Sequence, residues 1–163
     1  MKGFFNKLLR IDLTNRIISK EEISDDILKT NLGGKGLGGY FLLKEIPLNI
    51  KPLSPENKII FVIGPATGTK LWSNSRYGVF SKSPLTDIFG ESFSGGRVAP
   101  QIKATGYNVI LLEGESQSNV YLEISDQKVK FHDADHLWGQ ETYATESQIL
   151  KEINTKVNQP IRF

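Results

Sequence analysis

The chain has 163 residues, 39% hydrophobic and 23% charged, with a formal net charge of +2 from 20 Lys and Arg against 18 Asp and Glu. That size and balance fit one compact folded domain or two small lobes sharing a core, without the broad positive field that nucleic acid or an acidic membrane surface would require. Zero Cys excludes disulfides, thiolate zinc sites, Cys nucleophiles and Cys-ligated iron–sulfur clusters within the sequence, and two His cannot build a His-rich metal site.

The N-terminal stretch Met1-Lys2-Gly3-Phe4-Phe5-Asn6-Lys7 lacks a secretory apolar core, so a cytoplasmic location is expected. Leu8–Leu13 and Ile17–Lys20 partly alternate around the polar Thr14-Asn15-Arg16, which predicts a β-hairpin. Ser24 before Asp25 and Asp26 is a helix start, a hydroxyl cap followed by carboxylates at the positive end of the dipole. That helix is expected to run to about Leu32 and stop at Gly33-Gly34. A second helix near Leu37–Glu45 is expected to bury most of Leu37, Tyr40, Phe41 and Leu43 on one stripe.

Pro47, Pro52 and Pro55 mark a loop before Ile59–Ile63, an apolar run of strand length and far short of the ~20 residues of a membrane-spanning helix. Gly64 to Pro84 is rich in Gly, Ser, Thr and Asn, with a strand expected at Tyr77–Phe80. A small-residue cluster at Ser92–Gly96 precedes a helical stretch to Thr105, and Asn108–Glu113 is a further strand. Val120–Ile124 and Val129–Phe131 flank a second hairpin turn, and a polar-faced helix covers roughly Thr142 to Ile153. Helices interrupt the strands irregularly instead of alternating with them, which predicts an α+β fold with mainly antiparallel sheet.

Two glycine motifs fit nucleotide sites only in outline. Gly34, Gly36 and Gly39 match the spacing of the dinucleotide fingerprint, but they follow a helix end and not a strand; a helix C-cap with close backbone packing accounts for them. Gly64–Lys70 has Thr69 where a phosphate loop needs a second Gly before its Lys. His132 and His136 sit at a hairpin exit, where exposed or hydrogen-bonded rings are expected.

Three stretches carry a shared chemistry: Gly64–Thr69, then Ser75-Arg76-Tyr77 continuing through Ser81–Thr86, then Ser92–Arg97. All adjoin expected strands, so they can meet at one sheet edge. Small residues let a ligand approach the backbone, Gly frees N–H groups for an anion, and a helix beginning after Gly95-Gly96 would add its positive end. Arg76 can supply a bidentate, permanently charged clamp. A phosphate-bearing ligand is one reading of these stretches; ordinary connecting loops are the other.

Asn6–Leu13, Leu32–Leu37, Pro52–Asn57, Gly64–Thr69, Ser75–Tyr77, Lys82–Thr86, Ser94–Gly96, Lys103–Tyr107 and Trp138-Gly139, in this order and spacing, resemble the N-terminal domain of the tungsten-containing aldehyde ferredoxin oxidoreductase family. The resemblance spans essentially the whole sequence and implies two β-sheets with a few inserted helices. It also implies a base for a tungsten or molybdenum bis-pterin whose phosphates meet at magnesium. Family enzymes oxidise aldehydes to carboxylic acids and pass electrons through an iron–sulfur cluster to ferredoxin. Carried over by position, Arg76 and Gly95 correspond to residues that contact the pterin cofactor, with Ser94 and Gly96 shaping the same loop.

Where family members usually have Asn, this chain has Phe93. Its backbone carbonyl can still serve magnesium, because every residue supplies one. Its ring can instead lie beside the pterin or pack in the core. Residues 1–163 are expected to form a single metallopterin-binding domain, with the cluster-binding and C-terminal helical domains of the family outside them and no catalytic residue of its own. Expected partners are those remaining domains, ferredoxin for the complete enzyme, or a second copy of the chain through exposed apolar surface. The alternative is a non-catalytic, stand-alone pterin- or phosphate-binding or assembly module.

Overall fold

The computed structural model describes residues 2–126 and 128–153. Eight strands follow in chain order: β1 (Lys7–Asp12), β2 (Ile17–Glu22), β3 (Lys58–Ile63), β4 (Tyr77–Lys82), β5 (Phe89–Ser94), β6 (Val109–Glu113), β7 (Val120–Ile124) and β8 (Val129–Asp133). Four helices join them: α1 (Asp25–Asn31), α2 (Gly34–Glu45), α3 (Val98–Ala104) and α4 (Thr142–Glu152). The first six strands form one sheet in the order β2-β1-β6-β3-β4-β5, and β7 and β8 form a separate hairpin sheet. The α+β fold with two sheets therefore holds. The larger sheet is mixed, however, because β1 and β6 pair in parallel while the other pairings are antiparallel.

Alternation along the strands divides the core into two layers. Leu8, Ile60, Val62, Phe80, Val109 and Leu111 face α1 and α2, where they meet Leu28, Leu37, Phe41 and Leu42. Leu9, Ile11, Ile63 and Ile110 face the other way, onto Ile102 of α3 and Leu122 and Ile124 of the β7–β8 hairpin. The far side of that hairpin presents Tyr121, which with Ala134 and Leu137 seats Ile149 of α4 and Ile153 at its end.

Helix α1 starts as expected, with the Ser24 hydroxyl accepting the Ile27 N–H and Asp25 and Asp26 in the first turn. Its end falls within one residue of the expected one, but its cap and the start of the next helix differ. Leu32 itself takes the left-handed turn at φ 56°, and α2 begins at Gly34, so the glycine run lies mostly inside a helix. Three of its glycines are there for close packing. A Cβ on Gly33 would lie 2.8 Å from the Gly64 Cα, one on Gly36 2.4 Å from the Asn31 carbonyl oxygen, and one on Gly38 2.2 Å from the Phe80 ring. Because Gly38 lets α2 lie flat on the sheet, the buried stripe is Leu37, Gly38, Phe41 and Leu42; Leu43 is 73% exposed.

Strand β5 was not expected, since the Gly- and Ser-rich Phe89–Ser94 has weak strand character by itself. It exists because β4 supplies a template, pairing Tyr77 with Ser94 and Gly78 with Phe93. Among the described residues, no helix is long and apolar enough to cross a membrane.

Candidate anion-binding end of the sheet

The exit of β3, the entry of β4 and the exit of β5 lie at the same end of the sheet, because these neighbours run antiparallel. The loops beyond them are Gly64–Thr69, Ser73–Arg76 and Gly95–Arg97. Two of the three sequence-selected stretches thus converge as expected, with half of the third. The Ser81–Thr86 part does not: it leaves the opposite end of β4, where Asn57 accepts the Lys82 N–H at 3.2 Å and Lys82 donates to the carbonyls of Leu48 and Ile50. Those residues brace the far end of the sheet.

The loop between β3 and β4 is cross-braced. Thr67, 2% exposed, accepts the Gly64 N–H at 3.3 Å, and its hydroxyl faces the carbonyls of Asn74 at 3.4 Å and Arg76 at 3.3 Å. The Asn74 side-chain amide donates to the Thr69 carbonyl at 3.1 Å and the Leu71 carbonyl at 2.6 Å. The Arg76 N–H donates to the Asn74 carbonyl at 2.9 Å. Neither Thr67 nor Asn74 was singled out from the sequence. Their signal was local: Thr and Asn among glycines are residues whose side chains bond nearby backbone.

A second tie joins this loop to the β5 exit. The Ser75 hydroxyl donates to the Gly96 carbonyl, and a Cβ on Gly95 would lie 3.2 Å from the Ser75 carbonyl oxygen. Gly96 sits at φ 77°, a left-handed conformation that favours Gly, and a Cβ there would meet nothing within 4 Å. Open space therefore stands over Gly96, while Gly95 is closed in by Ser75. Arg76 and Gly95 are neighbours across the β4–β5 edge, both exposed, as are Phe93, Ser94 and Gly96. The Phe93 ring is only partly committed to the core, meeting Phe80 edge-on at 5.8 Å while remaining 43% exposed.

The electrostatics of these three loops are one-sided. No Asp or Glu occurs from Lys58 to Thr86 or from Ser92 to Leu112, whereas Lys70, Arg76, Arg97 and Lys103 all lie in these stretches. Among the described residues the Arg76 guanidinium has no carboxylate partner. Lys103 is engaged, donating to the Gly3 carbonyl and lying 5.0 Å from the Phe5 ring centre, and burial lowers its ammonium below the ordinary lysine value. A site with a free guanidinium, exposed glycine backbone and no acid attracts an anion and repels a lone cation. Among the described residues no cluster of His and acidic groups suits a bare metal ion. Helix α3 adds nothing specific here: it has only seven residues.

A cavity of about 630 Å³ lies on the outer half of the α3-side face, lined by Val79, Ser81, Ser92, Pro52, Pro55 and Leu112 among others. It does not reach Arg76 or Gly95. His132 and His136 are hydrogen-bonded, as expected: His132 to Glu123 at 3.0 Å, stacked on Tyr121, and His136 to Glu152 at 2.6 Å.

Residues 8–160 match the family model described as the aldehyde ferredoxin oxidoreductase N-terminal domain. The tungsten-containing aldehyde ferredoxin oxidoreductase of Pyrococcus abyssi is 40% identical over 156 residues, 96% of this chain and 26% of that protein. The aliphatic sulfonate oxidoreductase WOR-like subunit of Pyrococcus furiosus is 33% identical over 160 residues, 96% of this chain and 25% of that subunit. Among solved structures, the active site complex BamBC of benzoyl coenzyme A reductase with 1,5 dienoyl-CoA contains a chain that superposes with a TM-score of 0.91. It is 35% identical, with 94% of this chain and 23% of that chain covered. The present chain thus spans about a quarter of the length of the relatives it matches.

Proposed function

This chain belongs to the aldehyde ferredoxin oxidoreductase family, and on that premise we propose that its Arg76–Gly95 end is a seat for the phosphate-bearing part of a tungsten or molybdenum bis-pterin. The observation that carries the proposal is an exposed guanidinium, without a carboxylate partner among the described residues, beside glycine backbone in loops whose own residues include no acid. Arg76 holds phosphate oxygens through paired charged hydrogen bonds. Gly95 and Gly96, with Ser94, let the group approach the backbone, where any larger residue at Gly95 would press on Ser75. Phe93 offers magnesium only its backbone carbonyl, since its side chain has no ligating atom and packs on Phe80.

When bound, the metal and its dithiolene pterins supply the redox chemistry, which in this family's aldehyde oxidoreductases oxidises an aldehyde to a carboxylic acid with ferredoxin as acceptor. This chain's residues bind, orient and neutralise charge. With no Cys it ligates no iron–sulfur cluster, and alone it is not an active enzyme. The remaining domains of a family-length protein, or a separate subunit bearing them, are its natural partners. Large exposed apolar side chains such as Trp72 at 97%, Leu53 and Leu85 support such a covered surface, or pairing with a second copy.

A second reading is a stand-alone pterin- or phosphate-binding module without chemistry. It is favoured by Phe93, which replaces an amide side chain with a ring turned partly into the core. Calorimetric titration of the chain with inorganic pyrophosphate tests the seat shared by both readings. Arg76→Ala is expected to weaken binding about tenfold or more; unchanged affinity overturns it. Co-expression with the family's remaining domains separates the readings: tungsten or molybdenum with pterin fluorescence supports the enzyme, and their absence supports the module.

A further inference from the structure

We propose that Thr67 is a positioning residue for the anion seat, acting through Arg76. This rests on the assignment of Arg76 as the clamp, and it adds the device that sets where the clamp stands. One buried hydroxyl ties the exit of β3 to the entry of β4, because it accepts from Gly64 N–H and its single proton is shared between the facing carbonyls of Asn74 and Arg76. The next residue back, Ser75, carries the tie onward to the Gly96 carbonyl, and its own carbonyl bounds Gly95. Thr67 is therefore the buried member of a chain of contacts that links the three converging loops. Asn74 braces the same loop from its exposed side.

Arg76 needs this support because its side chain has no ion partner among the described residues to hold it, and it stands just outside β4. A clamp whose backbone wanders loses the in-register approach of both guanidinium nitrogens to phosphate oxygens, since binding must then pay for ordering the loop. Hydroxyl placement, not shape, is what Thr67 contributes. Val at this position fills the same volume but can neither accept from Gly64 nor donate to Arg76, whereas Ser keeps both functions.

The test uses the full chain, inorganic pyrophosphate as probe, and backbone amide exchange at Arg76 as a readout independent of ligand. Thr67→Val is expected to weaken pyrophosphate binding about tenfold and to speed Arg76 amide exchange, with Thr67→Ser restoring affinity to within about twofold. In an Arg76→Ala background Thr67→Val is expected to cause no further loss, because the effect passes through Arg76. Wild-type affinity in Thr67→Val, or an equal loss with and without Arg76, overturns the proposal while leaving the anion seat intact. Unchanged affinity in Arg76→Ala alone removes the seat itself, and this proposal with it. If Thr67→Val does not fold, Asn74→Ala is expected to show the same Arg76-dependent loss of affinity, and wild-type affinity there overturns the proposal.

Discussion

Replacing Gly38 with Ala is expected to destabilise the domain, although Ala is the better helix former. A Cβ at Gly38 would stand 2.2, 2.3 and 2.5 Å from three atoms of the Phe80 ring, whereas ordinary contact begins near 3.4 Å. Relief requires a displacement of about 1 Å between α2 and the sheet. The ring cannot retreat, since it is fully buried, meets Phe93 at 5.8 Å and Phe89 at 6.0 Å, and already occupies the space over Gly78. Overpacking of this kind costs about 1–3 kcal/mol, against a helix-propensity gain of about 1 kcal/mol. The upper half of that range applies to so short a contact, leaving a net loss of about 1–2 kcal/mol. Gly39→Ala, one residue on in the same helix, meets nothing within 4 Å and is expected to gain about 0.5–1 kcal/mol. Urea unfolding followed by circular dichroism measures both, read from the midpoint at constant slope. If Gly38→Ala proves as stable as Gly39→Ala, the close seating of α2 on Phe80 is wrong.

Arg10 ties Glu21, Glu45 and Glu113 together at the far end of the sheet, and Lys58 joins Glu45 and Glu113. Arg10→Met, which leaves those carboxylates short of a cation in a half-buried site, is expected to cost about 2–3 kcal/mol in the same unfolding assay. Burial alone would raise the Glu45 carboxyl, but its hydrogen bond and charge pairing with Arg10, with Lys58, hold it below the ordinary value. A carboxyl depressed in the folded state stabilises above its unfolded pKa and loses that contribution as pH falls through the folded one. The stability deficit of Arg10→Met is therefore expected to be full near neutral pH and to shrink as pH falls through the folded Glu45 value, and a deficit that stays constant into acid would contradict the network. His136 is raised above its ordinary value, chiefly by its hydrogen bond to Glu152. Its contribution is full below about 6.5 and fades as pH rises through the raised folded value, so amide exchange in α4 is expected to quicken across that window. Glu152→Gln should return the His136 titration, followed by NMR, toward the ordinary value; no movement refutes the pairing.

The sequence was most legible where local chemistry decides structure. Ser24 with two following acids marked the start of α1, partial alternation marked β1 and β2, a polar turn between apolar segments marked β7 and β8, and the apolar run of β3 had nowhere to go but the core. The nucleotide-like glycine spacing was rejected on context, and α2 does follow a helix instead of a strand. Legibility failed where a partner decides. Nothing within Phe89–Ser94 demands a strand until β4 lies beside it, and nothing in α2 reveals that Leu42 and not Leu43 is buried until Gly38 meets Phe80.

The candidate seat divides the same way. Residue types alone suggested an anion, through a guanidinium and small residues, as one reading of these stretches beside ordinary connecting loops. Sequence also determined what the chain lacks, since no arrangement of zero Cys yields a cluster site. Only the tertiary structure decided which of the small-residue stretches meet. Antiparallel pairing of β3, β4 and β5 brings Gly64, Arg76 and Gly95 to one end and sends Ser81–Thr86 to the other. The parallel contact between β1 and β6 joins residues about a hundred positions apart, a relation that no local pattern encodes because hydrogen-bond register is fixed between strands and not within them.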